Sequence, residues 1–554
     1  MFMAQNKNGG DRGDRGDRSE RSDRPAADRS VHLNDRRDPA IRTIANEVAR
    51  DLDPFLSHGP GGPSGEGDGT GVVAPELSVA HGRGEPVAAL DAGESSEMVS
   101  PELLAAAGAL PARKGGRPLG RGVRGDVWTT YKERVCHLSE RLVKAQKPIR
   151  ILDAIKWTDD VFTALFKNGL KKLPNLGRAY YQKNKLRFDP DDKIKEFASI
   201  AAEVEKLLGA DDDLGRILLR NCREYQQAVK MLKARGTPDF HKYSRELYGS
   251  PKDLFMDGET SLRDLGHQLY EILDALDDGQ LGGEYPRTLS AEQCVHLLNR
   301  GFEQYFHDHH VHARLGDGVV SDAAAGADYV KVKRGVQFST RDVEILEVHE
   351  GWVHVGTTLN GQYQRIATWL AKGPPCTTSV QEGLAVLMEL ITFVTLPVRA
   401  KKLNNRILAI DKAEDGADLF DIIEFYRTEG YSEPECIVNA QRVFRGGVVK
   451  GGAPFTKDIS YCKGFVSNYN FLRSCIRFAR PELIPFIFVG KVTLEDIPVL
   501  YQKWKEGVVD PPKYVPRHFR DLNGLAMWMA YSNFFNRMKL ANIQERLKQI
   551  ILGA

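Results

Sequence analysis

Residues 343–360 read VEILEVHEGWVHVGTTLN, and within them His349-Glu350-Gly351-Trp352-Val353-His354 forms an HExxxH pattern on a stretch of helical character. In the commoner HExxH, histidines four apart lie about 40° from each other around an α-helix, so both imidazoles reach one zinc ion. Five residues apart, they diverge by about 140°. The pair His349/His354 can hold one metal only where the helix is overfilled by one residue. The spacing therefore predicts a π-turn within His349–His354, and Gly351 inside the motif eases that distortion. The plain alternative is a chance match, with two histidines that only satisfy hydrogen bonds on a regular α-helix.

A catalytic zinc takes three protein ligands and keeps one position open for water. The third ligand is expected to be a carboxylate or histidine on a following helix. Glu382, in Gln381-Glu382-Gly383-Leu384-Ala385, opens the apolar run GLAVLMELITF, with Pro374-Pro375 as breakers upstream. A carboxylate in such a helix is costly unless paired or bound to metal, which singles out Glu382 and, second, Glu389. Upstream, Tyr329–Ser339 (YVKVKRGVQFS) alternates on both sides of Arg334-Gly335 and predicts a hairpin or bulged strand. Many zinc peptidases set such an edge strand beside the motif helix, where it pairs with the peptide substrate.

Outside this segment the composition changes near residue 125. Before it the only aromatics are Phe2 and Phe55, and the chain runs through DRG repeats, Gly/Pro stretches and the Arg/Gly-rich RKGGRPLGRGVRG. Such a segment buries too little apolar surface to order itself, so 1–125 reads as a disordered low-complexity tail, with transient helices at 41–55 and 101–107. Residues 126–300 read as the helical N-terminal part of the catalytic unit and 301–554 as its core. Helices are expected at Leu214–Ala234, Leu262–Leu276, Ala291–Phe306 and Leu522–Leu552, with a buried strand at Ile484–Gly490 kinked at Pro485. The fold class is α+β, predominantly helical.

The 554 residues carry a formal charge of +2, so nothing draws the whole chain to nucleic acid or an anionic membrane. Seven cysteines without a CxxC pair make neither a disulfide scaffold nor a thiolate zinc site, and they suit a reducing compartment. The N-terminus lacks a signal-peptide core, and the apolar stretch Gly383–Val398 is too short to span a bilayer. A soluble, cytoplasmic protein is expected. The run His307–His312 places its side chains on divergent faces and is read as a loop or helix end. Asp411–Ile422 fails as a calcium loop at Ala413 and Ile422. GGVVKGG (446–452) lacks a phosphate-loop pattern and reads as a mobile turn.

The HEGWVH segment, its continuation HVGTTLNG (354–361) and the literal QEGLA (381–385) resemble the bacterial QEGLA-motif proteins of the tyrosine/phenylalanine carboxypeptidase family. That family is related to the microtubule-associated tyrosine carboxypeptidase of animals. ARGTPDFHKYSRELYGSP (234–251), RVFRGG (442–447) and FTKDISYCKGF (455–465) are similar too. The resemblance implies a zincin-like metallopeptidase fold with a small sheet beside the HExxxH helix. It also implies zinc held by His349, His354 and Glu382, with Glu350 as catalytic base. The implied activity is removal of a C-terminal Tyr or Phe from a peptide or protein tail. Such an enzyme needs a cation for the terminal carboxylate, for which Arg442 and Arg445, then Lys457, are candidates, and Tyr461 is a candidate oxyanion donor. A zinc amidase or endopeptidase, and a regulatory or scaffold protein keeping the fold without turnover, are the competing readings. Neither nucleic acid nor membrane is expected as a partner, and the oligomeric state is left open.

Overall fold

Ser261, Ser290 and Ser339 each start a helix with a capping box, their hydroxyls meeting the amides of Asp264, Gln293 and Asp342, whose side chains return to the cap. The third of these caps opens the motif region. The structure is a computed structural model describing residues 123–276, 281, 285–307, 310–317 and 321–551. The tail expected over 1–125 lies outside the described residues, apart from 123–125 at the start of helix Val123–Gln146, as do both of its short helical stretches. The described residues fall within one compact unit. Among them, no helix is long and apolar enough to cross a membrane.

The architecture is predominantly helical with one small sheet. Expected helices appear as Asp213–Lys233, Leu262–Asp274 and Ala291–Tyr305. The expected Leu522–Leu552 helix is two, Leu522–Phe535 and Leu540–Ile551. Ile484–Gly490 is not a strand: Pro481–Phe488 winds as a 3-10 helix. Two prolines whose fixed φ suits a helical turn and whose missing N–H suits no ladder explain that outcome, since a short apolar run alone does not tell strand from helix.

The sheet has three strands in the order β1-β3-β2: β1 (His312–Gly316), β2 (Ala323–Ala325) and β3 (Tyr329–Lys333). β1 runs parallel and β2 antiparallel to β3, with Ala325 opposite Val330. Neither the hairpin nor the bulged strand expected across Arg334-Gly335 forms. β3 ends at Lys333, Gly335 turns with φ +72°, and Phe338 instead bridges Leu289. β3 is thus the central strand, and the edge beside the motif helix is β2, whose three alanines give no alternating pattern to read.

Two apolar cores meet at the motif. The smaller packs the sheet against helix Ala291–Tyr305 and includes Val355, while Val348 and Val353 belong to the larger, all-helical core. Close approach depends on glycine at two crossings. A Cβ on Gly351 would lie 2.4 Å from the Phe302 ring, so this glycine admits the neighbouring helix rather than merely easing the backbone. A Cβ on Gly383 would lie 1.9 Å from the Gly464 carbonyl carbon, so helices Thr378–Ile391 and Ser460–Arg477 touch backbone to backbone.

Candidate metal centre

Glu347–Val355 (EVHEGWVHV) is a π-helix set between the short helices Thr340–Leu346 and Gly356–Gln362. The five-residue spacing is accommodated in the way the sequence predicts: i→i+5 bonding brings His349 and His354 to one side, their rings 4.9 Å apart and nearly perpendicular. Glu382 Oε2 lies 3.9 Å from His349 Nε2 and 3.7 Å from His354 Nε2. Ligands about 2.1 Å from a tetrahedral zinc stand roughly 3.4 Å from one another, so a few tenths of an ångström complete the fit. Among the described residues, these three form the one group able to hold a metal ion.

The surroundings fix the donor atoms. His349 Nδ1 lies 2.6 Å from Glu389 Oε1, and Arg399 grips the same carboxylate at 2.6 and 2.7 Å. Arg399 also stands 3.4 Å from Nδ1, but two donors cannot share that contact, so Nδ1–H donates to Glu389 and the Nε2 lone pair faces the pocket. Burial would raise Glu389, yet Arg399 and His349 outweigh it and hold the carboxyl at about 2. Glu389 is therefore placed to orient the candidate ligand His349, an arrangement common around metal ions, rather than to be a ligand itself. Glu382 is likewise held well below the usual carboxylate range: burial opposes, but Lys457, His354 and His349 prevail.

Lys491 ties the two motif segments together. Its ammonium donates to the His354 carbonyl at 3.0 Å, Thr357 Oγ1 at 2.9 Å and Gln381 Oε1 at 2.8 Å. Glu350 Oε2 accepts the Ala325 amide at 2.8 Å, so the base candidate is fastened to the edge strand. Burial, with Glu382 adding to it, raises the Glu350 carboxyl above its ordinary value against the opposing pull of His354 and that amide.

Across the pocket stands a cluster of cations. Tyr461 lies with its ring 6.5 Å from that of His349, and Arg406 sits 4.5 Å over the tyrosine's centre. Lys457 Nζ is 2.8 Å from Glu382 Oε1, Arg442 Nε is 2.6 Å from Asp458 Oδ2, and Arg445 reaches the other oxygen of Asp458 only at 4.0 Å. Burial would raise Asp458, but Arg442, Lys457, Arg406 and Arg445 hold it well below the carboxylate range. Burial and the neighbouring Arg442 bring Arg445 down to about 10. The buried Nε of Arg445, and Nε and one terminal nitrogen of Arg406, have no hydrogen-bond partner.

The structure thus brings His349, His354 and Glu382 together, with Glu350, Tyr461 and Lys457 beside them and Arg442 and Arg445 behind Asp458. Arg442 is committed to Asp458, and Lys457 to Glu382. Sequence reasoning missed Arg399, Arg406 and Lys491, which reach the site from other elements without any local motif. Of the discounted segments, His312 opens β1, and Asp308 and His309 lie outside the described residues. Asp418 caps helix Leu419–Thr428, and 446–452 closes as a turn bridged by Val448 and Ala453. All seven cysteines are free thiols.

Among protein families, the model described as microtubule-associated tyrosine carboxypeptidase matches residues 163–537, a span that holds the π-helix, the QEGLA helix and the cation cluster. No curated protein matches the chain.

Proposed function

Because the chain belongs to the microtubule-associated tyrosine carboxypeptidase family, we propose that it is a zinc-dependent carboxypeptidase removing a C-terminal aromatic residue, Tyr or Phe, from a peptide or protein tail. The observation that carries this reading is the surplus of buried cations one aromatic ring away from the His349/His354/Glu382 group. An anion is needed there, and a peptide's terminal carboxylate supplies one. A motif helix flanked by the edge of a small sheet is in keeping with a zincin-like arrangement.

His349, His354 and Glu382 would hold the ion, which when bound supplies Lewis acidity for the scissile carbonyl and the attacking water. Glu350, steadied by the Ala325 amide, takes a proton from that water at its carboxylate and returns it to the leaving amine, a task its raised proton affinity suits. The unspent donors of Arg406 and Arg445 grip the terminal carboxylate, with the Arg406 guanidinium 4.5 Å over the Tyr461 ring. Tyr461 is the candidate donor to the developing oxyanion.

The test is a peptide ladder with varied C-terminal residues, incubated with the zinc-loaded chain and read by mass spectrometry. Loss of a single terminal Tyr or Phe, blocked by C-terminal amidation, is the expected result. Cuts within the peptides would replace the carboxypeptidase with an endopeptidase. A purified chain that takes up no zinc at micromolar concentration would remove the enzyme reading.

A further inference from the structure

Helix Leu522–Phe535 (LNGLAMWMAYSNFF) contains no charged residue. Its inner face packs on helix Ser460–Arg477: Leu525 and Met529 are buried, Ser532 meets the Tyr469 hydroxyl at 2.8 Å, and Asn533 donates to the Arg473 carbonyl at 3.2 Å. Its outer face is apolar as well. At 100° per residue, Met527, Trp528, Tyr531, Phe534 and Phe535 fall within an arc of about 120°, and Met538 continues the line in the turn beyond. These six side chains are between 41% and 55% exposed. A helix apolar all round belongs in an interior, so one face lacks its cover.

The patch differs in kind from the other exposed apolar residues. Phe393, Met256 and Phe478 are more exposed, but none lies within a helix, so none belongs to a continuous helical stripe. With large side chains presenting on the order of 200 Å² each, the six leave roughly 600 Å² uncovered, the upper end of the largest patch on a typical monomer and of the size that marks an interaction site. The following helix, Leu540–Ile551, also exposes Leu547, Ile550 and Ile551, the last two 76% exposed.

We infer that this face is where a second copy of the chain docks, through a twofold pairing of Leu522–Phe535 helices. Three properties select a like partner. At roughly 600 Å² the stripe reaches the lower end of a standard stable interface, about 600–1,000 Å² per subunit. The stripe is free of charge, so two copies meet face to face across a twofold axis without like-charge repulsion. Its Trp, Tyr, Phe and Met content is that of an interface core, and homodimer interfaces are the more apolar class. The inference stands apart from the proposed activity, since none of these side chains is among the candidate site residues.

The test is sedimentation equilibrium of the full chain from 0.1 to 50 μM, with the double variant Tyr531→Glu/Phe534→Glu and the control Phe393→Glu. The expected result is a mass twice 61.8 kDa for the wild type and the control. The double variant should dissociate at least a hundredfold more readily, with circular dichroism unchanged. A wild type that stays monomeric throughout, or a double variant as dimeric as the wild type, overturns the inference. Hydrogen exchange on the wild type provides a measurement independent of the variants. Protection of 527–538 should rise with concentration, and protection already complete in a monomer would assign the face to a segment of the same chain.

Discussion

On the side of the pocket built by the π-helix, two imidazoles and two carboxylates converge, Glu382 paired to Lys457 and Glu350 held by a backbone amide with no cation in contact. Arg399, behind His349, is consumed by Glu389. On the side built by residues 456–461, the arrangement is reversed: Arg406, Arg442, Arg445 and Lys457 gather around one aspartate, and two of the arginines keep buried donors without acceptors. Both sides are equally withdrawn from water, so burial alone does not distinguish them. What differs is the sign of the charge each still requires, a cation on one and an anion on the other. Tyr461, whose ring faces His349 on one side and Arg406 on the other, marks the join. A peptide spanning that join would have its last peptide-bond carbonyl at one side and its terminal carboxylate at the other, as the proposed carboxypeptidase reading requires.

The sharpest way to break this comparison is on the π-helix side. Glu350→Gln should lower kcat by 10²–10⁴-fold, the range of a lost general base, while zinc content by atomic absorption stays at the wild-type level. Loss of metal together with activity would make Glu350 part of the ion's support and leave the pocket without an identified base.

On the opposite side, Arg406→Ala should raise KM for a free C-terminal peptide by roughly 10–100-fold, the worth of a charge-assisted hydrogen bond. Zinc content should be unchanged. Arg442→Ala tests the same wall differently, because it unpairs buried Asp458: the expected loss is in folding, about 3–5 kcal/mol by urea denaturation. If Arg442→Ala instead behaves as a pure KM variant, the roles of the two arginines are exchanged.

Glu389→Gln addresses the outer layer. It keeps an acceptor for His349 Nδ1 but removes the charge that Arg399 neutralises, and zinc affinity measured by competition with a chromogenic chelator should fall 10–100-fold. An unchanged affinity would mean that Arg399 and Glu389 serve packing alone.

How far these two sides can be read from the sequence differs as well. The π-helix side is local: a five-residue spacing forces an overfilled turn, and a carboxylate in the apolar run GLAVLMELITF needs a reason to be there, so His349, His354 and Glu382 are legible without coordinates. Glu389, two turns beyond Glu382, is visible as an anomaly, but its role depends on Arg399 from the next helix, which no spacing rule connects to it. The cation side is assembled from distant elements. Arg406 arrives from helix Pro397–Glu414 and reveals itself only by donors left unpaired in space. The sheet was misread for a related reason: a three-alanine strand carries no periodicity, and its position is set by β3 and by the Ala325 amide that Glu350 needs.

A buried carboxylate elsewhere provides the control for the whole comparison. Glu224 accepts the Cys376 amide at 3.1 Å but makes no close ion pair; Arg220 beside it is paired to Asp496. Burial therefore wins, and pushes Glu224 up to about 7, where Glu389 is held down near 2 by its arginine. Because the folded state binds this proton more tightly than the unfolded chain, stability is unaffected below pH ~4.5 and falls as pH rises towards 7. Above 7 the cost is constant, on the order of 3 kcal/mol, the rise from 4.5 to about 7 at about 1.4 kcal/mol per pH unit. Glu224→Gln cannot ionise, so its thermal stability should lack this slope and exceed that of the wild type at pH 8, while the two coincide near pH 4.5. Parallel curves for the two proteins across that range would show that Glu224 reaches water or a cation when ionised, and that burial alone is not what separates it from the paired carboxylates of the pocket.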